Sequence, residues 1–226
     1  MFGIPLSAVI WAVFIKPVGF LQTTLHWQID PALPINQTHL VQKIQPLISN
    51  QYWPDLYQIK QHLEAEPWIE SVQIRRLLWN AIQIHINAQT IGMRWHNIDC
   101  KVPTMPGCYG YISTKGTLFT PKKTVPSNAA LAITKPDQNV LTQLYKDYQH
   151  YQAMAQPLSI QSISKRHVET LSFQSGVSVI LGEKQQKQRL TRFIKAYHQL
   201  KKQEVKIQQA TFDMRYTKGF ALSHRQ

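Results

Sequence analysis

The apolar residues of this chain recur at two different periods, and the switches between them constrain its fold more than any other feature. Ala81-Ile82-x-Ile84-x-Ile86 alternates strictly, the pattern of a strand with one buried face. Leu25 to Ile29 alternates in the same way. Between them, Leu40, Val41, Ile44, Leu47 and Ile48 follow helical spacing, with Thr38 as the expected N-cap and Pro46 expected to shorten or kink the helix. Pro54-Asp55 opens a second helix carrying Leu56, Ile59 and Leu63 on one face, and Ile69-x-x-Val72-x-Ile74 leads into another strand. The order strand, helix, helix, strand, strand over 25–90 makes a small α+β unit with two helices on one side of a sheet.

The segment 91–226 continues the mixture. Turn residues around Lys115-Gly116 between apolar runs indicate a hairpin. Val140, Leu141, Leu144, Tyr145, Tyr148, Tyr151 and Met154 predict an amphipathic helix near 138–154 whose tyrosines face the core. Strands are expected near 159–164, 168–173 and 177–181. A second helix then carries Leu190, Phe193, Ile194, Tyr197 and Leu200 as its apolar stripe. Phe212–Ser223 reads as the last strands, with Lys218-Gly219 expected to form a tight turn between them. The fold class expected for this second domain is a mostly antiparallel β domain with flanking helices.

From Phe2 to Leu21 the only charge is Lys16, so a transmembrane anchor is expected over residues 1–24. A signal peptide fits less well, because no basic n-region or A-x-A-like cleavage site is present. Charge does not give the orientation of such a span.

The charge itself is divided. The formal net charge is +13, yet residues 1–100 hold six basic and six acidic side chains, so all of the excess lies in 101–226. Within 184–206 eight basic residues face Glu204 alone. This half expects a polyanionic neighbour: nucleic acid, anionic lipid or an acidic protein surface. On the basic helix, however, the aromatic rings fall on the apolar stripe, which removes them from base stacking.

No pattern for catalysis stands out. H-E-x-x-H, the P-loop, G-x-G-x-x-G and G-x-S-x-G are all absent, and acidic residues are few and scattered. No enzyme activity, cofactor, metal or small-molecule substrate is expected. The two cysteines, Cys100 and Cys108, exclude a disulfide-dense scaffold and a four-cysteine zinc site. A loop-closing disulfide in an oxidising compartment and two unpaired thiols are both compatible with their spacing.

Three blocks carry a resemblance. Residues 58–76 read QIKQHLEAEPWIESVQIRR and resemble the "L-x-x-x-PWV-x-x-x-V-x-R" signature of a POTRA domain, with Trp79 and the Ile82/Ile84/Ile86 strand in the following places and Met93-Arg94-Trp95 matching "ARW". Leu181-Gly182, Arg189-Leu190-x-Arg192-Phe193, Tyr197 and Leu200 resemble "LG-x-x-x-x-x-x-RL-x-RF-x-x-x-Y-x-x-L". Residues 212–222, FDMRYTKGFAL, resemble "VDLRY-x-x-G-x-A-V". Together they resemble the FtsQ/DivIB family of bacterial cell-division proteins along most of the chain. Asn80 stands where proline is usual, and Ser223-His224 where the family carries a terminal tryptophan.

The resemblance implies a single-pass inner-membrane protein with its bulk in the periplasm at the division septum. It implies a non-catalytic scaffold binding FtsB and FtsL, with a partner strand added to the free edge of the C-terminal sheet. The family's partner-binding positions fall on Arg215, Tyr216, Lys218, Gly219 and Phe220. A second contact region falls on Lys165-Arg166-His167, where a histidine replaces a permanently charged side chain. Export would also place Cys100 and Cys108 where they can pair across the CKVPTMPGC loop. The alternative that the charge supports is a membrane-associated protein binding nucleic acid or anionic lipid.

Overall fold

The computed structural model describes residues 23–49, 51, 53–77, 81–100, 105, 107–203, 205 and 207–224. The chain divides into two compact units between Gln89 and Thr90.

In the first unit the order is β1 (Thr24–Ile29), α1 (Gln37–Ile48), α2 (Leu56–Glu64), β2 (Ile69–Arg76) and β3 (Ala81–Ala88). The strand order is β1-β3-β2, with β1 parallel and β2 antiparallel to the central β3. Ile82, Ile84 and Ile86 of β3 are fully buried, as are Leu40 and Ile44 of α1 and Ile59 and Leu63 of α2. Asn36, rather than Thr38, caps α1: its side chain accepts from the Thr38 amide, and the helix continues through Pro46 to Ile48. Asp55 caps α2 by accepting from the amides of Tyr57 and Gln58. Lys43 reaches Glu66 at 2.6 Å and ties α1 to the end of α2.

The second unit holds β4 (Ile91–Asn97), β5 (Tyr109–Ser113), β6 (Leu118–Phe119), β7 (Leu131–Thr134), α3 (Gln138–Ala155), β8 (Ile160–Lys165), β9 (Glu169–Phe173), β10 (Ser178–Gly182), α4 (Gln186–Lys202), β11 (Ala210–Asp213) and β12 (Ala221–His224). Its nine strands form one sheet in the order β12-β11-β10-β9-β8-β7-β4-β5-β6. Trp95, Phe173, Val179, Phe193 and Phe212 are buried in its core, where Phe193 stacks on Phe173 and meets Phe212 edge-on. Leu190, Phe193 and Tyr197 are the buried stripe of α4; Leu141, Leu144, Tyr145 and Tyr151 are that of α3. Lys201 and Lys202 stand in the last turn of α4, where the helix dipole favours cations.

The expected fold class needs two corrections. The large sheet is mixed rather than mostly antiparallel, since β4–β7, β7–β8 and β10–β11 are parallel pairs. Parallel neighbours need a crossover, and α3 and α4 supply it between β7 and β8 and between β10 and β11. Both crossovers step the same way along the sheet between strands of the same direction, so right-handed connection puts both helices on one face. Second, no helix among the described residues is long and apolar enough to cross a membrane. Each described helix keeps a polar face. The anchor expected over 1–24 falls almost wholly on residues 1–22, outside the described residues.

Candidate functional site: the free edge of the nine-stranded sheet

Strand β12 ends the sheet and pairs only with β11, in the register Ala210↔His224 to Asp213↔Ala221. Its outer edge is therefore a row of backbone donors and acceptors without a strand partner among the described residues. The strand is short and largely exposed, with only Leu222 half-buried.

The connection from β11 to β12, residues 214–220, is longer than the expected two-residue turn. Gly219 does not adopt positive φ, so a tight glycine turn is not what links the strands. Instead, two arginines of α4 hold the connection by its carbonyls. Arg192 donates to the carbonyl oxygens of Thr217 at 2.8 Å, Tyr216 at 3.1 Å and Met214 at 3.2 Å. Arg189 donates to the carbonyls of Leu181 and Arg215. Hydrogen bonds from a guanidinium are stronger than neutral ones, and its fixed fork suits several acceptors at once.

Gly182 makes room for this arrangement. Its φ is +78°, and a Cβ there would lie 2.5 Å from a terminal nitrogen of Arg189 and 3.1 Å from Arg215. The Leu-Gly and Arg-Leu-x-Arg-Phe blocks, separate in sequence, are thus two sides of one contact. Arg215 turns back on Asp213 as a bidentate pair, with Nη2–Oδ2 at 2.6 Å and Nε–Oδ1 at 2.9 Å. The Arg215 guanidinium holds the Asp213 carboxyl below its ordinary value, against the opposing effect of burial.

With the backbone so fixed, two large apolar side chains face outward. Tyr216 is 57% exposed and Phe220 38%. Phe220 keeps one face on Phe212, with ring centroids 5.5 Å apart, while Tyr216 projects from the connection. Lys218 and Gly219 are exposed between them. Arg166 and His167 are exposed in the bend between β8 and β9.

The strand register aligns Lys165, Glu169 and Gly182, and then Ile180 with Asp213 and Ala221. The bend at Arg166-His167 and the connection 214–220 therefore lie at the same end of the sheet, three strand spacings apart, about 14 Å at ~4.8 Å per strand. Cys100 and Cys108 form a disulfide between β4 and β5, with Cα atoms 5.7 Å apart.

Two side-chain groups escape a reading of the sequence. Arg189 and Arg192 look like part of a solvated basic face, whereas Lys184, Lys187, Lys195, Lys201 and Lys202 are the residues left exposed there. The spacing of the two arginines in the Arg-Leu-x-Arg-Phe block, flanking a core leucine, is the only sequence hint. The second group is a cleft containing Asp147, Lys165 and Glu169, brought together from α3, β8 and β9. Among the described residues no group of three or more His, Cys, Asp or Glu is arranged to hold a metal.

The site is thus an open sheet edge beside an ordered connection that carries two exposed aromatic side chains. The family described as "Cell division protein FtsQ/DivIB, C-terminal" matches residues 103–215, half of the chain. The chain belongs to this family of cell-division proteins. It is 25% identical over 194 residues to the Cell division protein FtsQ of Hahella chejuensis, covering 83% of this chain and 64% of that protein. Over 163 residues it is 24% identical to the Cell division protein FtsQ of Xanthomonas campestris pv. campestris, covering 70% of this chain and 54% of that one. The chain thus spans less than two thirds of the length of these relatives.

Proposed function

We propose that this protein is a non-catalytic scaffold of the bacterial division complex, binding FtsB and FtsL in the periplasm at the septum. A partner segment adds a strand to the outer edge of β12, and Tyr216 and Phe220 give it two apolar anchors. The observation that carries this reading is the edge of β12, without a strand partner among the described residues, beside a connection held at four carbonyls by Arg189 and Arg192. Strand addition draws affinity from main-chain hydrogen bonds and specificity from side-chain contacts. A backbone already ordered lowers the entropy cost of docking. Arg166, His167 and Lys218 add positive charge at the same end of the sheet, suited to acidic partner side chains. A disulfide between Cys100 and Cys108 is in keeping with an oxidising compartment.

Tyr216→Ala and Phe220→Ala are expected to weaken capture of FtsB in a pull-down, each by roughly tenfold or more if the ring is a buried anchor. Tyr216→Ala should leave thermal stability within about 0.5 kcal/mol, because the side chain is mostly solvated. Undiminished capture by both variants would contradict the assignment.

A further inference from the structure

Among the described residues the first unit leaves three large apolar side chains exposed: Trp53 at 65%, Tyr57 at 66% and Leu77 at 38%. The topology brings all three to one end. Trp53 lies in the connection between α1 and α2, Tyr57 in the first turn of α2, and Leu77 just beyond the end of β2. Arg76 ties the two connections together: its guanidinium lies 3.7 Å over the Trp53 ring and donates to the Pro54 carbonyl at 2.7 Å. The Leu77 amide donates to the carbonyl of Ala81 at the start of β3, and Ala81 is the register partner of Thr24, the first residue of β1. The chain therefore enters the unit at this same end. The residues that precede it there, Phe2 to Leu21, carry a single charge, Lys16.

The chemistry of the exposed side chains points the same way. Trp and Tyr join a broad apolar ring to a polar tip, so they suit a boundary that is apolar on one side and wet on the other, and they collect at membrane–water interfaces. Arg76 adds a permanent positive charge that suits a headgroup phosphate, and its cation–π contact holds the Trp53 ring in place. The acidic side chain of the α1–α2 connection, Asp55, is turned onto the start of α2, where it accepts from the amides of Tyr57 and Gln58. Two rings, a leucine and a cation are too polar a patch to bury a long apolar segment. They match the interface that such a segment would enter.

We propose that this end of the first unit rests on a lipid bilayer, with Trp53, Tyr57 and Leu77 in the headgroup region and Arg76 against lipid phosphates. The contact needs neither a helix that crosses the bilayer nor strand addition at β12, so its test is separate from that of partner binding.

The test uses the whole chain with vesicles of phosphatidylcholine and phosphatidylglycerol in equal parts, prepared with and without a nitroxide on the lipid headgroup. Cys100 and Cys108 are bridged, so one added cysteine takes a fluorophore alone. Gln51→Cys places the probe in the same connection as Trp53, and Ala32→Cys, just beyond β1, places it at the opposite end of the unit; both positions are exposed. The chain is expected to float with the vesicles, and the nitroxide to quench the probe at position 51 severalfold more than the probe at position 32. Trp53→Ala with Tyr57→Ala removes two mostly solvated side chains and leaves the core intact. This double substitution should abolish most of that difference while capture of FtsB is unchanged. Failure to float, equal quenching at the two positions, or a difference that survives the double substitution would overturn the proposal. So would a floating chain unquenched at position 51, which would put residues 1–22 or a protein over the patch instead of lipid. Loss of FtsB capture with quenching unaltered would make the patch a protein contact, and would equally overturn it.

Discussion

At the scale of single residues, the arrangement at the sheet edge depends on side chains of α4 and on a glycine, which lie outside β11 and β12. Arg192 bonds three successive parts of the 214–220 connection, so Arg192→Ala is expected to loosen that segment by about 1–3 kcal/mol while the sheet stays intact. Hydrogen exchange should then accelerate at Arg215–Phe220 and not at Val179–Leu181. Gly182→Ala would force a Cβ against Arg189 from a left-handed backbone, and should reproduce the same local loosening. The Asp213–Arg215 pair gives the edge a pH dependence. Asp213 has a folded value below its unfolded one, so the pair contributes fully above the unfolded value, and its contribution is lost as the pH falls through the lowered folded value. Protection of the connection's amides, taken relative to intrinsic exchange at each pH, should therefore fall at acid pH in the natural protein, and Asp213→Asn should be loose at every pH.

At the scale of elements, most boundaries are legible in the sequence because apolar period and burial coincide. The Ile82/Ile84/Ile86 alternation is β3, and the stripe from Leu190 to Tyr197 is the buried face of α4. Phe193 sits at the centre of that stripe, fully buried against Phe173, Tyr197 and Phe212. Phe193→Ala is expected to cost about 3–5 kcal/mol in chemical denaturation, through lost transfer energy and the cavity left behind. What the sequence does not show is pairing. Periodicity places strands and helices but not strand direction, so the parallel pairs made by the α3 and α4 crossovers are missed. The helix between two strands in each case was the available signal. The tight turn expected at Lys218-Gly219 fails for a related reason: a glycine signals permitted backbone freedom, and here the longer connection is shaped by arginines distant in sequence. The cleft around Glu169 is hidden for the same cause, since Asp147, Lys165 and Glu169 belong to three elements.

At the scale of the whole molecule, the excess positive charge gains a finer meaning. Part of it is committed internally, in Arg189, Arg192 and Arg215, and another part lies on exposed lysines of α4 and in the bend and connection at one end of the large sheet. The aromatic rings of α4 are in the core, so the helix offers charge without a stacking surface. That distribution suits acidic protein segments better than single-stranded nucleic acid. The Cys100–Cys108 disulfide closes a short loop at the same end. Cys100→Ser with Cys108→Ser is expected to lower the stability of this unit by about 2–3 kcal/mol, read as a lower melting temperature that reductant reproduces in the natural protein. The central claim, that β12 is the docking edge, is tested most directly by hydrogen–deuterium exchange of the protein alone and with the periplasmic segment of FtsB. Strand addition should slow exchange at Ala221–His224 and at the 214–220 connection. A complex that forms while these amides exchange at their free rate, with protection elsewhere, would contradict it.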